Sequence, residues 1–149
     1  MPSSFHDLDI KSGLKNKKML SAILDDLGKR YSAANQVLKL TYIFCSDDYL
    51  YDLNKQFLQH DTLTDILTFD QTDPAKPGIT TGEIYISADR VRDNAETYQA
   101  TYEDELHRVI FHGMLHLCGL KDKTPEDAEQ MRAAENECIA YSKSIYFKN

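Results

Sequence analysis

The sequence predicts an α+β domain: a small mixed β-sheet packed against several α-helices, with the helix that carries His112 and His116 buried centrally. Two observations carry this reading. Segments with apolar residues at helical spacing alternate with short runs of β-formers, so strands and helices are mixed along the chain. Two of the runs, Thr64–Asp70 and Gly82–Ser87, flank the turn signals Asp73-Pro74 and Pro77-Gly78, as a pair of adjacent strands would. The length of 149 residues and an apolar fraction of 42% suit a single domain, 1–149, with a core of its own. No internal repeat, low-complexity tract or linker divides the chain.

The elements follow in order. Residues 5–10 are expected to form a short first strand. A helix is expected from Leu14 to Tyr31, with Leu20, Ile23, Leu24, Leu27 and Tyr31 on its buried face. Lys11, Lys15, Lys17, Lys18, Lys29 and Arg30 fall in or beside it; they read as a solvated face rather than a phosphate-facing patch. Val37–Cys45 is a strand by its content of Val, Thr, Tyr, Ile and Phe. Ser46 or Asp47 caps a helix running to about Leu58, and Gln59–Leu63 is a loop. After the two strands, Ser87 caps a helix from Ala88 to about Gln99. The next helix, Tyr102 to Cys118, is apolar on almost every side and is therefore buried. Thr124-Pro125-Glu126-Asp127 starts the last helix: a capping hydroxyl, proline at the first helical position and acids in the first turn.

Bulk properties exclude several classes. No apolar run approaches the roughly 20 residues of a membrane span. The first residues show neither a basic nor an apolar leader pattern, so no signal peptide is expected. Cys45, Cys118 and Cys138 are odd in number with no close pair, which argues for free thiols and a cytoplasmic location. A net charge of −7 argues mildly against a nucleic-acid partner unless a local basic surface exists.

The densest chemistry lies in His112-Gly113-Met114-Leu115-His116-Leu117-Cys118-Gly119-Leu120-Lys121-Asp122. Histidines at i and i+4 share one helical face, so both imidazoles can reach one ion. Gly119, just past the helix, is suited to a positive φ that turns the chain back and returns Asp122 as a third ligand. Two imidazoles, a carboxylate and an open fourth position are the donor set of a catalytic zinc site. Zincin peptidases place a glutamate after the first histidine as general base. Here that residue is Gly113, which takes no proton, so a peptidase of that type is disfavoured.

The same segment resembles the YbeY family of bacterial endoribonucleases, also called rRNA maturation factors, whose pattern is His-Gly-x-Leu-His-Leu-x-Gly-Tyr-Asp-His. His112, Gly113, Leu115, His116, Leu117 and Gly119 match it; Leu120, Lys121 and Asp122 depart from it, with Asp122 where the family has its third zinc-ligand histidine. A second family pattern, Leu-Asn, an arginine, Thr-Asp/Asn-Val-Leu-Ser-Phe and Gly-Asp/Glu-Ile-x-Ile-Ser, is met by Leu53, Asn54, Thr64, Asp65, Leu67, Phe69, Gly82, Glu83, Ile84, Ile86 and Ser87. The family arginine falls at Leu58.

The resemblance implies a zinc-dependent endoribonuclease of single-stranded RNA. Its implied role is in ribosomal RNA maturation and ribosome quality control, acting with the small ribosomal subunit and possible protein partners. On that reading His112, His116 and Asp122 hold one zinc ion, Asp65 and Glu83 assist as acids, and Asn54, Thr64 and Lys121 touch substrate. Each also has a structural reading: Asp65 as a turn cap, Glu83 as a partner for buried backbone, Lys121 as a solvated cation. His107 and Cys118 point off the ligand face and read as packing residues, and His60 is a weak candidate for a substitute cation. Two alternatives stand beside the nuclease: a metal-binding ribosome-assembly factor with little cleavage, and a zinc hydrolase of a peptide or small molecule.

Overall fold

The computed structural model describes residues 3–32, 36–57 and 64–146. Along the chain come β1 (Ser3–Asp7), α1 (Lys17–Tyr31), β2 (Val37–Cys45), α2 (Asp47–Phe57), β3 (Ile66–Asp70), β4 (Ile79–Ser87), α3 (Ala88–Thr97), α4 (Tyr102–Leu117) and α5 (Pro125–Tyr146). The strands form one sheet in the order β1-β2-β4-β3. β1 and β4 both run parallel to β2, and β3 runs antiparallel to β4, so the sheet is mixed as expected. Leu58, His60 and the loop expected at Gln59–Leu63 lie outside the described residues. Among those described, no helix is long and apolar enough to cross a membrane.

Several boundaries differ from the sequence reading, each for a local reason. β1 covers 3–7 rather than 5–10, because Asp9 leaves the sheet to accept hydrogen bonds from the Ser46 N–H and Oγ at 2.7 and 2.6 Å. α1 starts at Lys17 rather than Leu14, since Gly13 and Asn16 adopt positive φ of 71° and 56°. β4 begins at Ile79 rather than Gly82, since it pairs with the whole of β2, from Val37↔Ile79 to Cys45↔Ser87. β3 begins at Ile66: Thr64 Oγ1 bonds within the turn to Ile66 instead. α3 stops at Thr97, before Gln99 at φ 56°. The expected caps form, with Ser46, Ser87 and Thr124 accepting from the N–H groups of Tyr49, Arg90 and Asp127, and Thr101 caps α4 as well by accepting from the Asp104 N–H.

The sheet has two unequal faces. One packs Phe5, Leu40, Tyr42, Phe44, Ile84 and Ile86 against α1, α4 and α5 in the main core. The other carries a small cluster in which Leu67 and Cys45 meet Leu50 of α2, with Leu53, Phe69 and Tyr85 alongside. α4 is the central helix of the larger face, with Leu106, Val109, Ile110, Phe111, Met114 and Leu115 all buried. Tyr42 Oη donates across the core to the Ile110 carbonyl at 2.7 Å, a buried bond that ties α4 to β2.

Two glycines set how closely α4 lies on β4. A Cβ at Gly113 would meet Ile84 Cγ2 at 2.9 Å and Ile66 Cδ1 at 3.2 Å. A Cβ at Gly82 would meet Leu117 Cδ1 at 2.4 Å. Gly113 is therefore a spacing residue, and the position that carries the general base in zincin peptidases has no room here for a side chain. Gly113→Ala trades a gain in helix propensity of about 1 kcal/mol against overpacking of about 1–3 kcal/mol. A net loss of up to about 2 kcal/mol is expected on urea unfolding; raised stability would show that the helix is not seated this tightly.

His107 is buried on α4 with its ring 6.2 Å from that of Phe111, in the packing role expected for it. Burial holds its imidazole below the usual value of 6.5, and the nearby carboxylates of Glu103 and Asp104 only partly oppose this. A histidine depressed in the folded state contributes stability that is complete above the unfolded value and is lost as pH falls through the folded one. Lowering pH from 7.5 to 5 is accordingly expected to destabilise wild type more than His107→Gln. Equal losses in the two unfolding series would remove His107 from the pH dependence.

Candidate functional site

The polar side of α4 is a narrow stripe on an otherwise buried helix. Glu105, Arg108 and His112 fall at i, i+3 and i+7, so they line one face. That face opposes α5, which offers Glu135 from between the buried Met131 and Cys138. Together with Asp65 just before β3, Asn94 of α3 and Asp122 beyond α4, these residues line a cleft of about 310 Å³. Ile66, Val109 and Met131 supply apolar wall.

His112 is held from both sides. Its Nδ1 lies 2.8 Å from Glu135 Oε2, and its Nε2 lies 3.4 Å from Asp122 Oδ2. Burial alone would raise the Glu135 carboxyl, but His112 and Arg108 outweigh it and hold it below its usual value, so it is ionised and accepts only. The proton of a neutral His112 therefore sits on Nδ1, and Nε2 presents its lone pair toward Asp122. Burial pushes the His112 imidazole down, yet the hydrogen bond and charge of Glu135, with Asp122 and Asp65, leave it above its usual value. Arg108 Nη1 binds the other oxygen of Glu135 at 3.1 Å, and Arg132 Nη1 stands 3.8 Å from the same atom.

Asp65 is the second carboxylate facing this space. Burial pushes its pKa up, with His112 pulling the other way. Asn94 Nδ2 donates to its Oδ2 at 3.4 Å, and its own carbonyl accepts from the Ser87 N–H at 3.0 Å. It thus ties the start of β3 to the end of β4 while its side chain turns to the cleft.

Zinc is the metal this donor set fits in kind. Two ligand atoms about 2.0–2.2 Å from one ion at a tetrahedral angle stand roughly 3.4 Å apart. The 3.4 Å between His112 Nε2 and Asp122 Oδ2 matches that edge and exceeds a good hydrogen bond. Glu135 on Nδ1 is the carboxylate partner that metal-binding imidazoles ordinarily have. Gly119, at φ 107°, makes the reversal that returns Asp122 to His112. His116 is one turn further along α4, exposed and outside the cleft lining. Among the described residues no three His, Cys, Asp or Glu side chains stand grouped to hold an ion.

Other expected site residues fall elsewhere. Glu83 is on the far face of the sheet: Gly82 and Ile84 turn toward α4, so period-two alternation sends Glu83 toward Leu53, Phe57 and Phe69. Tyr85 Oη lies 3.4 Å from its Oε1 there, so it cannot assist at His112. Asn54 is buried in α2, Thr64 serves its own turn, and Lys121 is exposed; none lines the cleft. Cys118 packs with its Sγ 3.7 Å from Met114 Sδ, as expected of a non-ligand. Glu135, Arg108 and Asn94 were not singled out from sequence. Glu135 carried a signal, an acid at i+4 from Met131 and i−3 from Cys138, on the edge of a buried stripe.

Comparison with known proteins adds an independent line. A family model described as endoribonuclease YbeY matches residues 5–143. A Cytophaga hutchinsonii protein named endoribonuclease YbeY is 43% identical over 139 residues, covering 93% of this chain and 94% of its own. One of the same name from Parabacteroides distasonis is 41% identical over 140 residues, covering 94% and 95%. A Thermotoga maritima protein solved in solution superposes with a TM-score of 0.58 at 28% identity, covering 98% of this chain and 96% of that one.

The Glu135 side chain is only 8% exposed and serves both Arg108 and His112. Removing one partner of a largely buried ion pair leaves the others uncompensated. Glu135→Ala is expected to lower unfolding stability by roughly 2–4 kcal/mol, and Glu135→Gln by less. A loss below about 0.5 kcal/mol, the level of an ordinary surface change, would show that Glu135 does not organise the cleft.

Proposed function

We propose that this chain, which belongs to the endoribonuclease YbeY family, is an endoribonuclease that hydrolyses single-stranded ribosomal RNA at the cleft around His112. The observation that carries the reading is the placement of His112 between Glu135 and Asp122, with the half-buried Asp65 in the same cleft. A phosphodiester hydrolase needs a group that aligns water, a base able to take its proton, and cations for the phosphate. This cleft offers all three without a contribution from position 113.

His112, His116 and Asp122 are the residues proposed to hold zinc. When bound, it supplies Lewis acidity for a phosphoryl oxygen and acidifies water near neutral pH. Glu135 keeps the proton of His112 on Nδ1, so Nε2 stays a ligand atom rather than a donor. Asp65, raised by burial, is suited to take a proton from water on one carboxylate oxygen while Asn94 steadies Oδ2. Arg108 fixes Glu135 and brings positive charge beside it. Ile66, Val109 and Met131 keep part of the wall dry, which strengthens each of these interactions. The substrate, the small ribosomal subunit as its carrier, possible ribosomal protein partners and a cytoplasmic site of action belong to the same proposal.

The exposure of His116 favours a second reading, a metal-binding ribosome-assembly factor that cleaves little. Cleavage of a defined ribosomal RNA precursor separates the two. Chelator-sensitive cleavage is expected for wild type, with a loss of about 100-fold or more in His112→Ala and His116→Ala. Asp122→His is expected to retain zinc and activity, and Asp122→Ala to lose both. Equal cleavage by wild type and His116→Ala would overturn the nuclease reading, and bound zinc without cleavage would establish the second.

A further inference from the structure

Any RNA entering this cleft brings phosphates past four carboxylates: Asp65, Glu105, Asp122 and Glu135. Two arginines line the same space, and the structure gives them different roles. Arg108 is committed: its side chain is 24% exposed and its Nη1 bonds Glu135 Oε1 at 3.1 Å. Arg132 is not. Its side chain is 59% exposed, and its ion pair with that same oxygen is 3.8 Å long, beyond hydrogen-bond range. It rises from α5 one turn before Glu135, which itself touches His112 at 2.8 Å. Arg132 therefore stands at the rim, aligned by a carboxylate that is already satisfied by Arg108 and His112, with its planar fork open to solvent.

We infer that Arg132 is the substrate-binding cation of this cleft, donating to a phosphodiester oxygen of single-stranded RNA next to His112. This rests on the proposed nuclease reading and adds a residue to it. Arginine suits the task because its fork matches two phosphate oxygens and its charge does not titrate. The weak 3.8 Å attachment to Glu135 orients the side chain without sequestering its donors. Lys121 and Lys123 are exposed nearby in sequence but line no part of the cleft.

The test compares wild type, Arg132→Ala, Arg132→Lys and, as a charge control on α1, Lys29→Ala. The zinc-supplemented full chain is assayed for kcat and KM on a single-stranded RNA oligonucleotide across a salt series. Binding of the same oligonucleotide is followed by anisotropy with chelator present. Arg132→Ala is expected to raise KM and Kd about five- to tenfold at low salt, with kcat within about twofold. One lost phosphate contact should also flatten the slope of log Kd against log salt by about 0.7. Arg132→Lys should restore most of that slope, and Lys29→Ala should leave it unchanged. If wild type cleaves with chelator sensitivity and Arg132→Ala matches it in KM, Kd and slope, the inference is wrong and the nuclease reading survives. A fall in kcat alone, with KM and slope intact, likewise overturns it. If wild type does not cleave, the nuclease reading fails, and the salt slope of binding still decides whether Arg132 contacts RNA.

Discussion

The seating of α4 on β4 is the contact on which the remaining geometry depends. Gly113 against Ile84 and Gly82 against Leu117 let helix and strand approach more closely than any side chain at either glycine would allow. That approach buries the apolar sides of α4 and leaves one narrow polar stripe toward α5. Tyr42 Oη on the Ile110 carbonyl adds a fixed rotational reference. With depth and rotation both set, His112 has one place to go: into the seam between α4 and α5, where Glu135 meets it.

Placing a titratable stripe in such a seam is unfavourable unless every member finds a partner. Glu135 answers this by serving Arg108 through one oxygen and His112 through the other. The result is a chain of contacts, Arg108–Glu135–His112–Asp122, running from the helix interface out to the loop after Gly119. Glu135, in the middle, is buried with its side chain 8% exposed, while at the far end the Asp122 side chain is 46% exposed. A site built this way keeps the His112 imidazole aligned while leaving the Asp122 end open to solvent.

Much of this was legible in the residues. β2, the helix starts at Ser87 and Thr124, the β3–β4 pairing and the burial of α4 all follow from local patterns that the tertiary structure does not override. The pairing of His112 with Asp122 follows from helical spacing plus one glycine at positive φ. What escaped has a common cause. Glu135 and Arg108 look like ordinary surface charges until two helices are docked, so no single-helix pattern marks them. Glu83 shows the opposite error: its place in a motif suggested proximity to His112, while strand alternation from Gly82 and Ile84 put it on the other face of the sheet. The cations near the site come from α4 and α5, whereas the motif had directed attention to Leu58.

The central claim is that His112, His116 and Asp122 close on a single zinc ion beside Glu135. X-ray absorption at the zinc edge of the metal-loaded full chain tests it directly. The account predicts four light-atom neighbours at about 2.0–2.2 Å, two of them imidazoles, with one imidazole lost in His116→Ala. A sulfur neighbour near about 2.3 Å, or a spectrum unchanged by His116→Ala, would contradict it.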